Sequence, residues 1–187
     1  MVAHTFHLLS VFILFTLTLK VLPVQYPERE KTAVLAAVLH IVSPAGVFLS
    51  APYSESVFAC LNFLGMLLYS RTYTDESRKT SSMVDTAAIL GAGLCWGVAT
   101  SVRGNGILSG IMLLYRCVSL LESLPSRAAF KSLAATIVAG LLVAVGSIVP
   151  QGIAYSEYCL QAAAGQKATW CSEMPPSIFA WVQAHYW

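Results

Sequence analysis

The sequence predicts an all-α, polytopic integral membrane protein with about six transmembrane helices, and three observations carry that expectation. Only 11% of its residues are charged and 57% are apolar, whereas a soluble domain carries about 25% charged side chains. The apolar residues gather into runs of the length needed to cross a hydrocarbon core of about 30 Å. Most of the prolines and charges fall between the runs, where chain reversals belong.

Taken in order, the expected spans lie near 5–22, 32–49, 54–70, 84–102, 107–121 and 132–149. The first follows no basic start, and Lys20-Val-Leu-Pro-Val is unlike a small-residue cleavage site, so it reads as a retained helix and not a signal peptide. Pro23 and Pro27 bracket a polar link. The second run carries His40, expected to hydrogen-bond a neighbouring helix. It ends in Ser-Pro-Ala-Gly-Val-Phe-Leu-Ser-Ala-Pro-Tyr-Ser-Glu-Ser (43–56), whose two prolines bar a straight helix. That stretch is either a hairpin turn or a polar shelf lining a cavity at one membrane face. The third run is short unless it begins near Tyr53. The fourth holds Gly91, Gly93 and Gly97, small residues that let helices approach closely in lipid. The sixth is expected to end at Pro150, leaving 1–150 as the bundle and 151–187 as a polar, aromatic loop or tail.

Short links make successive helices cross in opposite directions. The cations then sort sharply: Lys20, Arg29, Lys31, Arg71, Arg78, Lys79, Arg116, Arg127 and Lys131 fall on one side, and only Arg103 and Lys167 on the other. By the positive-inside rule the crowded side is cytosolic, which puts both chain ends on the far side. An N-terminus there fits a chain that follows an odd number of further spans. Cys159 and Cys171 lie on that far side and are disulfide candidates if it is an oxidising compartment. Cys60, Cys95 and Cys117 fall inside apolar runs and read as packed thiols.

The net charge of +2, without basic clusters interleaved with aromatics, gives no sign of a nucleic-acid partner. Phosphate-loop and metal-ligand spacings are missing too, so no metal is expected. The far face collects the chemistry-bearing residues. Arg103 is a planar fork of donors suited to phosphate oxygens, flanked by Gly104, Asn105 and Gly106. It serves equally well as a turn residue whose side chain reaches the headgroups. Glu55 lies near membrane depth, where an acid generally has a partner or a function. It can accept from a sugar hydroxyl, pair with Arg103 or cap the third helix. Tyr53 adds a polar contact beside it. Near the end, Gln183 and His185 stand among tryptophans, an arrangement that suits sugar or headgroup recognition as well as an interfacial aromatic belt. Glu157 and Glu173 read as solvated loop acids.

Several stretches together resemble the fungal PIG-V mannosyltransferases of GPI-anchor synthesis. They are the 43–56 stretch, Leu-Asn-Phe-Leu-Gly-Met-Leu-Leu-Tyr (61–69), Arg-Gly-Asn-Gly-Ile-Leu (103–108), the pairs Tyr-Cys (158–159) and Trp-Cys (170–171), and Pro-Ser-Ile-Phe-Ala-Trp-Val-Gln-Ala-His-Tyr-Trp (176–187). The resemblance implies a multi-pass endoplasmic reticulum enzyme with a C-type glycosyltransferase-like bundle. Such an enzyme takes mannose from dolichyl-phosphate mannose and adds the second, α-1,6-linked mannose to the GPI precursor glycolipid on the luminal side. Its implied partners are membrane lipids, dolichyl-phosphate mannose, the GPI precursor glycolipid and a small membrane subunit; its donor is lipid-linked, so no cofactor is implied. Pro44, Tyr53, Glu55, Arg103, Asn105, Gln183 and His185 match the family's pattern and are expected to contact substrate or phosphate. The family's luminal Trp-Asp motif, which supplies its expected catalytic acid, does not occur in this sequence. Asp85 falls on the cytosolic side and is no substitute. The chain therefore reads as the middle of such an enzyme, without the N-terminal catalytic loop and the C-terminal spans. A small membrane transporter and a non-catalytic membrane subunit are the alternatives.

Overall fold

A computed structural model describes residues 2–43, 54–74, 83–122, 126–161, 167–174 and 176–186. These residues form α1 (Val2–Val21), α2 (Arg29–Ile41), α3 (Glu55–Thr74), α4 (Met83–Val102), a 3-10 helix (Gly104–Ser109), α5 (Gly110–Leu121) and α6 (Arg127–Tyr155). A π turn (Ser156–Leu160), a second 3-10 helix (Thr169–Ser172) and a short α7 (Ile178–Tyr186) follow. The described residues contain no strand.

Four segments are long and apolar enough to cross a membrane: Val2–Val21, Met83–Val102, the continuous Gly104–Leu121 and Arg127–Leu160. The expected six are thus four among the described residues. Helix α2 has 13 residues, about 20 Å at 1.5 Å per residue, and residues 44–49 of its expected span lie outside the described residues. Helix α3 has 20 residues and is long enough, but Glu55, Asn62, Arg71 and Thr72 dilute its apolarity. The last span departs from expectation in another way. Pro150 stands inside α6, and the helix runs on to Tyr155 instead of stopping. A proline there forfeits one hydrogen bond, but a bilayer offers the neighbouring backbone no alternative to helix, so the helix persists.

Side-chain contacts show that consecutive helices alternate in direction. Along α1 and α2, Arg29 Nε donates to the Leu19 carbonyl at 2.7 Å and Ser10 meets His40 at 2.9 Å, an antiparallel pair. The Ser10 hydroxyl donates to the His7 carbonyl, so His40 Nε2 must carry the proton it shares with Ser10. This is the interhelical bond expected of His40. Between α3 and α4, Glu55 meets Arg103 and Trp96 Nε1 donates to the Asn62 carbonyl at 3.2 Å, again antiparallel. Helices α4 and α6 run parallel, with α5 returning between them.

The core is built on α4. Ile89, Ala92, Trp96, Ala99 and Thr100 are all but fully buried there. Small residues set the spacing, as expected of this helix. A Cβ on Gly97 would stand 2.6 Å from the Leu142 carbonyl oxygen, and one on Gly146 would strike the Gly97 backbone. Trp96 fills the space that a side chain at Gly65 would need. The outward faces stay apolar, with Leu8, Phe12, Leu114, Val118, Leu141 and Ile148 all exposed. A surface of this kind suits a lipid solvent.

Gly97→Val is expected to wedge α4 from α6 and to destabilise the fold by about 1–3 kcal/mol. Gly140→Ala, where a Cβ meets nothing within 4 Å, is expected to leave stability unchanged or to raise it by up to about 1 kcal/mol through helix propensity. Thermal unfolding in detergent micelles measures both, and equal midpoints for the two variants would contradict the close α4–α6 contact.

Candidate functional site

Helix α3 carries polar groups at Glu55, Asn62, Tyr69 and Thr72. Steps of seven and three residues keep them on one face. Each finds its partner in the segment that ends α4 and forms α5. Glu55 Oε1 pairs with Arg103 Nη1 at 2.6 Å. Asn62 Oδ1 accepts from the Ser109 hydroxyl at 3.0 Å. The Tyr69 hydroxyl donates to the Met112 carbonyl at 2.9 Å, and Thr72 Oγ1 accepts from Arg116 Nη1 at 2.8 Å. The partners climb in step with α3, so the two strands of contact fix its register.

Arg103 stands where α4 gives out. Its backbone is extended, with φ −144° and ψ 129°, while its N–H still donates to the Ala99 carbonyl at 2.9 Å. The following turn folds back through a bond from the Gly106 N–H to the Arg103 carbonyl at 2.9 Å. Gly106 presses against Thr100 so closely that a Cβ would come within 2.6 Å of its Cα; only glycine fits there. The turn is thus clamped at Gly106 and at Ser109, and the guanidinium projects from a fixed base.

The pair lies at the rim of the bundle: the side chains of Arg103 and Glu55 are 37% and 26% exposed. The Arg103 Cζ stands 5.9 Å from the centre of the Phe58 ring, a cation–π distance. Among the described residues Glu55 Oε2 and the Ser56 hydroxyl are buried without a hydrogen-bond partner. The described cations Lys20, Arg29, Lys31, Arg71, Arg116, Arg127 and Lys131 belong to the opposite end of the alternating helices.

A cross-linked frame borders the site. Cys159 and Cys171 form a disulfide, and between them in sequence Trp170 is 3% exposed, its ring 6.4 Å from that of Tyr155. Trp181 Nε1 donates to Thr169 Oγ1 at 3.1 Å, tying α7 to this frame. The Phe179 ring lies against Gly104, so α7 starts beside the arginine.

Of the residues singled out by sequence, the structure brings Glu55 and Arg103 together. Tyr53 and Pro44 lie outside the described residues. Asn105, Gln183 and His185 are exposed, and no hydrogen bond among the described residues joins them to the ion pair. His185 stacks on Trp181 at 4.5 Å and its Nδ1 donates to the Trp181 carbonyl at 2.9 Å. Sequence reasoning named Ser56 as a polar contact beside Glu55 and missed Phe58, Asn62 and Ser109. The seven-residue spacing of Glu55, Asn62 and Tyr69 within an apolar run was the available signal. Among the described residues no group of three or more metal-ligating side chains occurs.

The sequence profile of the family described as Mannosyltransferase (PIG-V) matches residues 1–187. The chain is 36% identical to GPI mannosyltransferase 2 of Gibberella zeae, over 100% of this chain and 42% of that protein. It is 36% identical to GPI mannosyltransferase 2 of Aspergillus oryzae, over 99% of this chain and 43% of the relative. With GPI alpha-1,6-mannosyltransferase 2 of Cricetulus griseus it shares 30% identity, over 84% of this chain and 34% of the relative. The chain therefore spans less than half the length of these relatives. No solved structure matches it.

Asn62→Leu strands the Ser109 hydroxyl and is expected to cost about 1–3 kcal/mol. The double variant Asn62→Leu/Ser109→Ala is expected to recover part of that loss, since both polar partners are then gone. Unfolding midpoints in micelles test this; a double variant no more stable than Asn62→Leu alone would remove the bond from the account.

Proposed function

The chain belongs to the PIG-V mannosyltransferase family, and from that premise we propose that it forms part of an enzyme of GPI-anchor synthesis. The enzyme moves mannose from dolichyl-phosphate mannose to a GPI precursor, adding the second, α-1,6-linked residue in the lumen of the endoplasmic reticulum. The single observation that supports this best is the match over all 187 residues combined with a fixed arginine at the bundle end away from Lys20, Arg29, Lys31, Arg71, Arg116, Arg127 and Lys131. By the positive-inside rule the cation-rich end faces the cytosol, which turns Arg103 and Glu55 toward the lumen. In this reading α2 and α3 belong to the two further crossings that make six.

The chemistry asks little of the protein beyond charge and placement. The acceptor hydroxyl oxygen bonds to C1 of the mannose while the bond from C1 to the phosphate oxygen breaks. The hydroxyl proton passes to a carboxylate base and dolichyl phosphate departs. Negative charge grows on the phosphate as it leaves, and a preorganised donor aimed at that charge lowers the barrier. Arg103 has that role, with Asn105 on the same turn and Tyr53, Gln183 and His185 as further substrate contacts. Asp85 opens α4 and is 18 residues from Arg103, about 27 Å along a helix. It is too far away to be the base, which belongs to the longer protein.

Cells deficient in the second mannosylation test the proposal. The complete wild-type protein is expected to convert the accumulated one-mannose precursor to the two-mannose form. Arg103→Ala is expected to slow that conversion by about 10²–10³-fold, as loss of one preorganised donor does. Chromatography of labelled precursors reads both, and wild-type conversion by Arg103→Ala would remove it from the site.

A further inference from the structure

We infer that Glu55 reads a hydroxyl of the transferred sugar with the carboxylate oxygen that Arg103 leaves free, so that one ion pair recognises both halves of a glycosyl phosphate. The inference rests on the donor assignment above and goes beyond it by naming a specificity-determining residue and its atom.

The two oxygens of Glu55 differ. Oε1 lies 2.6 Å from Arg103 Nη1. Oε2 is buried and has no hydrogen-bond partner among the described residues. A carboxylate only accepts, and it has room for about four hydrogen bonds. Leaving one oxygen withdrawn from water and unmatched is unfavourable, and such an exception calls for an explanation, of which a role in the reaction is one. The side chain as a whole is 26% exposed, so Glu55 stands at the rim of the bundle with Oε2 on its inner side.

Arg103 presents the opposite surplus. Of five N–H donors in its fork, the Nη1 edge serves Glu55, and no other hydrogen bond from the guanidinium occurs among the described residues. The remaining edge suits phosphate oxygens. Acceptor and donors thus lie side by side, held by the clamped 104–109 turn.

This juxtaposition selects its ligand. Inorganic phosphate gains from Arg103 but meets the negative Glu55 as well. A neutral sugar satisfies Glu55 and leaves the arginine fork idle. A sugar esterified to phosphate at C1 carries a hydroxyl on nearby carbons and an anionic oxygen beyond the ester, and it matches both. Glu55 also positions Arg103, so its loss has two consequences, and the test must separate them.

The complete protein in microsomes is assayed with dolichyl-phosphate mannose and with donors in which each mannose hydroxyl in turn is replaced by hydrogen. The readout is the ratio of kcat/KM for the natural donor to that for each deoxy donor, within one variant. Misplacement of Arg103 lowers both numbers and cancels. The wild-type protein is expected to discriminate against one deoxy donor by about 10- to 100-fold, the range for a hydrogen bond to a charged group. In Glu55→Ala that one ratio is expected to fall toward unity while the others hold. Arg103→Lys is expected to lower all rates and keep every ratio. If Glu55→Ala does not accumulate, Glu55→Gln, which keeps the volume and removes the charge, carries the same comparison with a smaller fall. Wild-type discrimination retained at every hydroxyl in the Glu55 variants overturns the inference. No transfer from dolichyl-phosphate mannose by the wild-type protein overturns the donor assignment instead, a separate and recognisable result.

Discussion

A helix packed among apolar helices cannot leave its inward polar side chains to water, and this constraint governs α3. Glu55, Asn62, Tyr69 and Thr72 would each carry an uncompensated desolvation penalty if packed there without partners. All four bond to one neighbouring segment, Arg103 to Arg116. Hydrophobic burial does not drive helices together in a bilayer, where lipid is as apolar as leucine. Polar pairs and close packing must do so, and the structure divides the work between them. The α3 stripe fixes register on one side of α4, while glycines at Gly97 and Gly146 bring α6 against the other.

The placement of the site follows from that scaffold. The ladder begins at its rim with Glu55, the first residue of α3, and Arg103, the residue that follows α4. Below it, Asn62 holds Ser109, the final residue of the turn that carries the arginine. The arginine is consequently fixed from two sides, by the carboxylate and by the turn's own anchors. The disulfide and the Trp170–Thr169–Trp181 contacts then set α7 beside Gly104. The structure thus joins the rim from three parts of the sequence that lie far apart in the chain.

Much of this was legible in the residues. Alternating crossings followed from short links, and the cation asymmetry followed from the alternation. Glu55 and Arg103 stood out because charges are scarce in these surroundings, and their pairing was one of three roles open to the glutamate. The extent of α6 was not legible, since the rule that proline ends helices comes from water-exposed segments and fails where the backbone has no other partner. The ladder was hidden for another reason. Asn62, Tyr69 and Thr72 are ordinary residues whose meaning depends on a partner helix that sequence periodicity alone does not orient. The exposed positions of Asn105, Gln183 and His185 were equally out of reach, because side-chain direction in a 3-10 turn and a terminal helix is set by tertiary contacts.

The central claim is that α3 and the Arg103 turn are energetically one unit, and a double-mutant cycle measures it most directly. Glu55→Ala, Arg103→Ala and the double variant are unfolded thermally in micelles. The account predicts that the two losses are not additive, with a coupling of about 0.5–1 kcal/mol. Strictly additive losses would contradict it, because they would mean that the two side chains do not sense one another in the folded protein.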